Sequence, residues 1–111
     1  MGAMGEQEAA RYLRDRGYRI LSANYRTYRG EIDIVAQKDG FICFTEVKTR
    51  TSGGMYAPAD AVNAAKQKNI IDSSLIYMAV KKTELIPRYD IIEVIICNGS
   101  VQSVNHIEGA F

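Results

Sequence analysis

The sequence predicts an α/β domain, a mixed β-sheet with helices packed on it, in the order αβββαββ. Three observations predict it. Two stretches rich in helix formers are separated by strand-like text. Runs of β-branched and aromatic residues lie between turn signals. The pairs Asp39-Gly40 and Asn98-Gly99 each join two apolar runs, as hairpin turns do. With 111 residues, 47% hydrophobic and 24% charged, the chain suits a single domain over residues 1–111 with one core, and a disordered chain is excluded.

Each element has a local reason. Residues 6–16 carry Ala9, Ala10 and Leu13 toward one side with Tyr12 beside them, and Gly17 follows as a C-cap. Residues 18–29 are strand-like, with Ile20, Leu21 and Tyr25 among polar neighbours. Two apolar runs around Asp39-Gly40 form the next hairpin. After a glycine-containing loop at 51–57, Pro58 suits the first turn of a helix running to about Val80, with Ala61, Ala64, Ile71, Leu75 and Met78 as its core stripe. Residues 88–97 (RYDIIEVIIC) form a β-branched strand, and residues 100–107 return beside it.

Bulk charge excludes little and proves little. Fourteen basic and 13 acidic side chains leave a net charge of +1, so a nucleic-acid partner must be argued from local clusters. No run approaches the length of a membrane span, and the N-terminus lacks the plan of a signal peptide, so no membrane partner and a cytoplasmic location are expected. Cys43 and Cys97 sit in apolar runs without a CxxC and read as buried free thiols. A lone histidine, His106, argues against zinc and reads as a surface or partly buried residue; Ser52, Ser73 and Ser74 lack a histidine placed for a triad. Asp90 suits a cap or a salt bridge as well as a site. Oligomeric state, a homodimer included, is left open.

The hairpin at 30–50 carries acids where a buried strand should have none. If Asp39-Gly40 is a two-residue turn, Lys38 faces Phe41, Asp33 faces Glu46 and Glu31 faces Lys48. Alternation then puts all four on one sheet face with Val35, Ile42 and Phe44, their facing Cβ atoms ~5 Å apart. Carboxylates crowded on a partly buried face repel and lose hydration unless a cation or protons compensate. Lys48 and an oxygen-seeking divalent ion are the natural compensation. The bland alternative is a solvated strand face with Lys48 paired to Glu31.

The spacing of Asp33 from Glu46-Val47-Lys48 resembles that of the PD-(D/E)xK nucleases of restriction-endonuclease-like fold, although Ile32 stands where their proline would. More specific is the surrounding text: Gly5-Glu6-x-x-Ala9-x-x-Tyr12-Leu13, Gly17-Tyr18-x-Ile20-Leu21, Asn24-Tyr25-Arg26, Gly30-Glu31-Ile32-Asp33, Glu46-Val47-Lys48-x-Arg50, Arg88-Tyr89-Asp90 and Ala110-Phe111. Together these resemble the YraN-like family (uncharacterised protein family 0102), inferred to be endonucleases distantly related to archaeal Holliday junction resolvases. The resemblance implies a restriction-endonuclease-like sheet flanked by helices and adds Glu6 as a further metal ligand. The resolvases offer no obvious equivalent of Glu31.

The expected chemistry is phosphodiester hydrolysis in DNA, branched or structured DNA included, with Mg²⁺ or Mn²⁺. Asp33, Glu46, Lys48 and Glu31 form the catalytic set; Glu6, Asp33, Glu46 and the Val47 carbonyl are the candidate ligands. Lys48 would orient the water or neutralise the phosphate. Arg26, Arg29, Arg50, Lys66 and Lys68 are the candidate phosphate contacts, with Tyr25 and Tyr28 interleaved for stacking on unpaired bases. The rival readings are a non-cleaving nucleic-acid-binding module of the same fold and an interaction domain whose acids only tie the sheet together.

Overall fold

A computed structural model describes residues 2–52 and 62–111. Pro58, Ala61 and most of the expected loop at 51–57 lie outside the described residues. The observed order is αβββαββ, as expected: α1 (Gly2–Asp15), β1 (Arg19–Thr27), β2 (Gly30–Lys38), β3 (Phe41–Thr51), α2 (Ala64–Lys81), β4 (Ile86–Cys97) and β5 (Ser100–Ile107). Helix α1 ends where Gly17 takes φ +88, and the Tyr18 N–H returns to the Leu13 carbonyl at 3.0 Å.

The five strands stand side by side in chain order. Neighbours joined by tight turns are antiparallel; β3 and β4 run parallel because α2 lies between them in the chain. The helices cover opposite faces. On the α1 face, Ala9 and Leu13 pack on Ile34, Ala36, Cys43, Ile92 and Val94. On the α2 face, Ile70 and Tyr77 pack on Val35, Ile42, Phe44 and Ile91. Cys43 is buried, whereas Cys97 is only partly so; both are free thiols.

The buried stripe of α2 is not the expected one. Ile70, Ser73, Ser74 and Tyr77 face inward. Leu75 is 55% exposed, Ala64 is exposed, and Ile71 and Met78 are only partly covered. Specific bonds turn the helix. Ser73 Oγ meets Thr27 Oγ1 at 2.8 Å, Ser74 Oγ meets Tyr89 Oη at 2.7 Å, and Tyr77 sits edge-on to both Tyr25 and Phe44. Satisfied hydroxyls can be buried where bulk hydrophobicity would have chosen leucine.

A second polar knot closes the α1 face. Asp90 is fully buried and accepts from Arg88 Nε and Nη2 at 2.9 and 2.8 Å, from the Gly109 N–H at 3.1 Å, and pairs with His106 Nε2 at 2.8 Å. Burial works to raise its pKa, but bonds from His106 and Arg88 hold it below the ordinary value. Arg88 also donates to Tyr18 Oη at 2.7 Å. His106 is therefore no surface residue: its side chain is 4% exposed. Asp90 serves as a salt-bridge centre.

Gly5 sets how close α1 comes to the sheet, because a Cβ there would run into Thr49 Oγ1 of β3. Gly5→Ala should lower unfolding free energy by ~1–3 kcal/mol, overpacking outweighing the helical preference for alanine. Denaturant titration of the Gly5→Ala/Thr49→Ala double variant should recover most of that loss; equal stability of Gly5→Ala and the native chain would show that α1 shifts freely.

Candidate functional site

The β2–β3 hairpin keeps the expected register, Lys38↔Phe41 through Val35↔Phe44 to Ile34↔Thr45. There the ladder stops, and the next expected pair, Asp33 with Glu46, is bridged differently. Asp33 Oδ2 accepts the Val47 N–H at 2.8 Å, a side chain standing in for a strand carbonyl. Strand β2 also turns over at this point. Ile34 packs on the α1 face, yet Ile32 joins Val35 on the α2 face. Asp33 thus borders two cavities, one of ≈ 410 Å³ against α2 and one of ≈ 250 Å³ against α1.

The larger cleft is lined by Gly30, Glu31, Asp33, Glu46, Asn63, Ala65, Lys66, Asn69 and Ile70. Glu46 is 3% exposed. Burial, then Glu46, raises the Asp33 carboxyl from 3.8 to about 7, against the pull of the Val47 N–H. Two cations meet Glu46: Lys66 Nζ in direct contact and Lys48 Nζ at 3.8 Å. Burial lowers the Lys48 ammonium and neighbouring Lys66 lowers it further. Burial works to lower the Lys66 ammonium, but the bond and charge of Glu46, with Lys48 and Asp33 adding, raise it above the ordinary value.

The N-terminus of α2 opens on the same cleft. Asn63 caps it, accepting the Lys66 N–H at 2.9 Å, and the helix is 18 residues long. Its free N–H groups and positive dipole end favour an anion there.

The sequence-predicted residues divide into three groups. Asp33, Glu46, Lys48 and Lys66 come together. Glu31 lines the cleft but does not pair with Lys48; it accepts from Arg26 Nε at 2.7 Å, because β1–β2 pairing sets Arg26 opposite Glu31. As the shared face predicts, Glu31, Asp33 and Glu46 line this one cleft with Lys48 beside Glu46; only the Glu31–Lys48 pairing gives way. Glu6 stands behind Asp33 on α1, close enough to raise its carboxyl. Val47 is engaged through its N–H. Arg29 and Lys68 meet on Asp72, Arg29 Nη2 at 2.6 Å and Lys68 Nζ at 2.9 Å, so part of their charge is matched by the helix that carries Lys68. Arg50, beyond Lys48 on β3, lies 3.5 Å from Glu93.

Glu93 was missed by sequence reasoning. It is 2% exposed and sits beside Lys48 in the parallel β3–β4 pairing. An acid inside IIEVII was the available signal.

Among the described residues, no three carboxylate, histidine or cysteine groups gather as a metal cage. What stands there is a carboxyl pair. Its hard oxygen donors are of the kind a divalent cation takes. No helix among the described residues is long and apolar enough to cross a membrane.

Sequence comparison assigns the chain to a protein family. The model of an uncharacterised protein family, UPF0102, matches residues 5–94. The chain belongs to UPF0102. A UPF0102 protein of Alkaliphilus oremlandii is 45% identical over 114 residues, covering 100% of this chain and 97% of its own length. One from Chlorobaculum parvum is 44% identical, covering 100% of this chain and 91% of its own length. A third, from Caldanaerobacter subterraneus, is 41% identical over 100% of this chain and 93% of its own length. The UPF0102 match spans most of α1, the acid hairpin and α2, and so every residue of the cleft.

The Asp33 carboxyl has a sign that can be measured. Its folded pKa of about 7 lies above the ordinary 3.8, so its contribution to stability is complete below 3.8 and is lost as pH rises through about 7. With chelator present, the melting temperature of the native chain should fall across that window relative to Asp33→Asn, which keeps a carbonyl for Val47. Parallel pH profiles for the two would show that Asp33 ionises freely.

Proposed function

We propose that this UPF0102 protein is a metal-dependent endonuclease of the PD-(D/E)xK type, hydrolysing phosphodiester bonds in DNA. One observation carries the reading: Asp33 and the buried Glu46 line one cleft at the N-terminus of α2, with the ammonium groups of Lys48 and Lys66 beside them. Acids that can hold a metal, a neighbouring ammonium and a helix start can together stabilise a phosphate under attack by water.

Asp33 and Glu46 would hold Mg²⁺ or Mn²⁺, with Glu6 and the Val47 carbonyl as the next candidates. The ion would supply charge neutralisation and a more acidic bound water. This chain's own groups do the rest. The first turn of α2 and Lys66 draw the phosphate into the cleft by charge. Lys48, its pKa lowered, gives up a proton more readily than an exposed lysine and stands where it can orient water or meet the charge that grows on phosphorus. Arg26, Arg29 and Lys68, at the β1–β2 hairpin and on α2, supply phosphate contacts beyond the cleft, although their partners Glu31 and Asp72 must share them.

One observation favours a second reading, a module that binds nucleic acid without cutting it. Lys66 already occupies Glu46, and the described residues form no three-acid cage. A cleavage assay separates the two. Labelled single-stranded, duplex, flap and four-way-junction DNAs should be cut with Mn²⁺ or Mg²⁺ and left whole with chelator. Binding without cutting under every condition would leave the module.

Two further outcomes follow. Calorimetric titration with Mn²⁺ should give a binding isotherm that Asp33→Asn and Glu46→Gln each abolish; an unchanged isotherm in either variant removes that residue from the metal site. Lys48→Ala should cut the cleavage rate by ~10²-fold or more, with DNA affinity nearly unchanged, because charge on the phosphate peaks in the transition state. A comparable loss in affinity instead would make Lys48 an ordinary phosphate contact.

A further inference from the structure

Glu46 faces more cations than one carboxylate can hold. Lys66 is in direct contact with it, Lys48 stands at 3.8 Å, and the nuclease reading adds a divalent ion. A divalent ion on Glu46 repels both ammonium groups. Lys66 has an outlet, because its side chain is 44% exposed and can turn to water. Lys48, at 30% on a central strand, is more enclosed and needs another acceptor on the sheet face.

Such an acceptor stands beside it. Lys48 pairs with Glu93 in the parallel β3–β4 register, which sets the two strands ~4.8 Å apart with both side chains on one face. That face is the α2 face: Lys48 lies two residues beyond Glu46, and Glu93 two beyond Ile91, which packs under α2. Glu93 is buried, and its two oxygens are used unequally. Oε1 accepts from Asn105 Nδ2 of β5 at 3.3 Å. Oε2 lies on the β3 side, 3.5 Å from Arg50 Nε, and among the described residues it accepts no hydrogen bond. A buried carboxyl oxygen without a donor is costly, and a lysine ammonium has three donors to offer.

Resting on the nuclease reading, we propose that Glu93 is the positioning residue for Lys48: its Oε2 receives the Lys48 ammonium when a divalent ion takes Glu46. The exchange moves no backbone. Lys48 turns from a residue two places back on its own strand to the one beside it on β4. Asn105 fixes Glu93 from the far side, so the free oxygen stays aimed at β3. Lys48 thereby remains charged and ordered next to the cleft without competing for the metal's ligand.

The test is a double-mutant cycle on Mn²⁺ affinity, read by calorimetry on the full chain, with melting temperatures to confirm that each variant is folded. Glu93→Gln keeps the shape and the acceptor for Asn105; it should weaken Mn²⁺ about fivefold, because Lys48 then stays on Glu46. Glu93→Asp keeps the charge but not the reach, and should weaken Mn²⁺ to a similar degree. In the Lys48→Met background neither change should alter the affinity. Equal weakening in both backgrounds would overturn the proposal, making Glu93 a bare charge that attracts cations. Native affinity in both Glu93 variants would overturn it too, leaving Glu93 to Arg50 alone. A measurement on the native chain needs no variant: with carboxyl-¹³C-labelled glutamate, the Glu93 signal should move on saturation with Mg²⁺. A signal that stays still overturns the proposal while the metal site of the nuclease reading stands. Absence of any Mn²⁺ binding by the native chain would overturn both.

Discussion

Everything at the site depends on one hydrogen bond, from the Val47 N–H to the Asp33 carboxylate. Strands β2 and β3 pair regularly as far as Ile34↔Thr45 and then part. Parting strands expose backbone donors, and a buried donor without a partner costs ~1–3 kcal/mol. Asp33 meets that donor with a side chain, which lets β2 turn over and spread its neighbours to both faces of the sheet. The same carboxylate is thereby placed against Glu46, next to Glu6, and between two cavities. One residue closes the ladder and opens the cleft.

The opposite wall is held with comparable care. Helix α2 is fastened to the sheet by polar bonds as much as by apolar packing: Ser73 to Thr27, Ser74 to Tyr89, and Asp72 to Arg29. Thr27 Oγ1 also accepts the Arg29 N–H at 2.9 Å, so the β1–β2 turn and the helix form a single braced unit. The brace fixes the N-terminal turn of α2 over Glu46. A glutamate side chain at 3% exposure needs cations beside it, and Lys66 and Lys48 are there.

On the α1 face, the Asp90 knot performs the corresponding duty for the chain's end. Asp90 draws together Arg88, His106 and the Gly109 N–H, while the Ala110 N–H reaches the Tyr89 carbonyl at 2.7 Å and Phe111 stacks on Tyr89. Tyr89 stacks in turn on Phe44 of the central strand. The last residues therefore pack against the core, and β4 is held on both faces at the level where β3 begins to serve the site.

By itself the sequence determined the element order, the tight turns and the hairpin register, because these follow from local preferences: alternation, Asp-Gly and Asn-Gly turns, and a glycine after a helix. It also marked Asp33, Glu46 and Lys48, which the fold brings together, since a charge inside an apolar run needs a reason wherever the run is folded. Tertiary structure alone decided how those charges pair. Glu31 went to Arg26 because β1, remote in the spacing pattern, lies closer than Lys48. Lys66 came into the cleft, and Ser73 and Ser74 displaced the expected Leu75 from the interior, because the rotation of α2 was set by hydroxyl partners on strands far away in the chain. The turn-over at Asp33 was equally hidden. Period-two alternation presumes an unbroken ladder, and only the assembled sheet showed where the ladder ends.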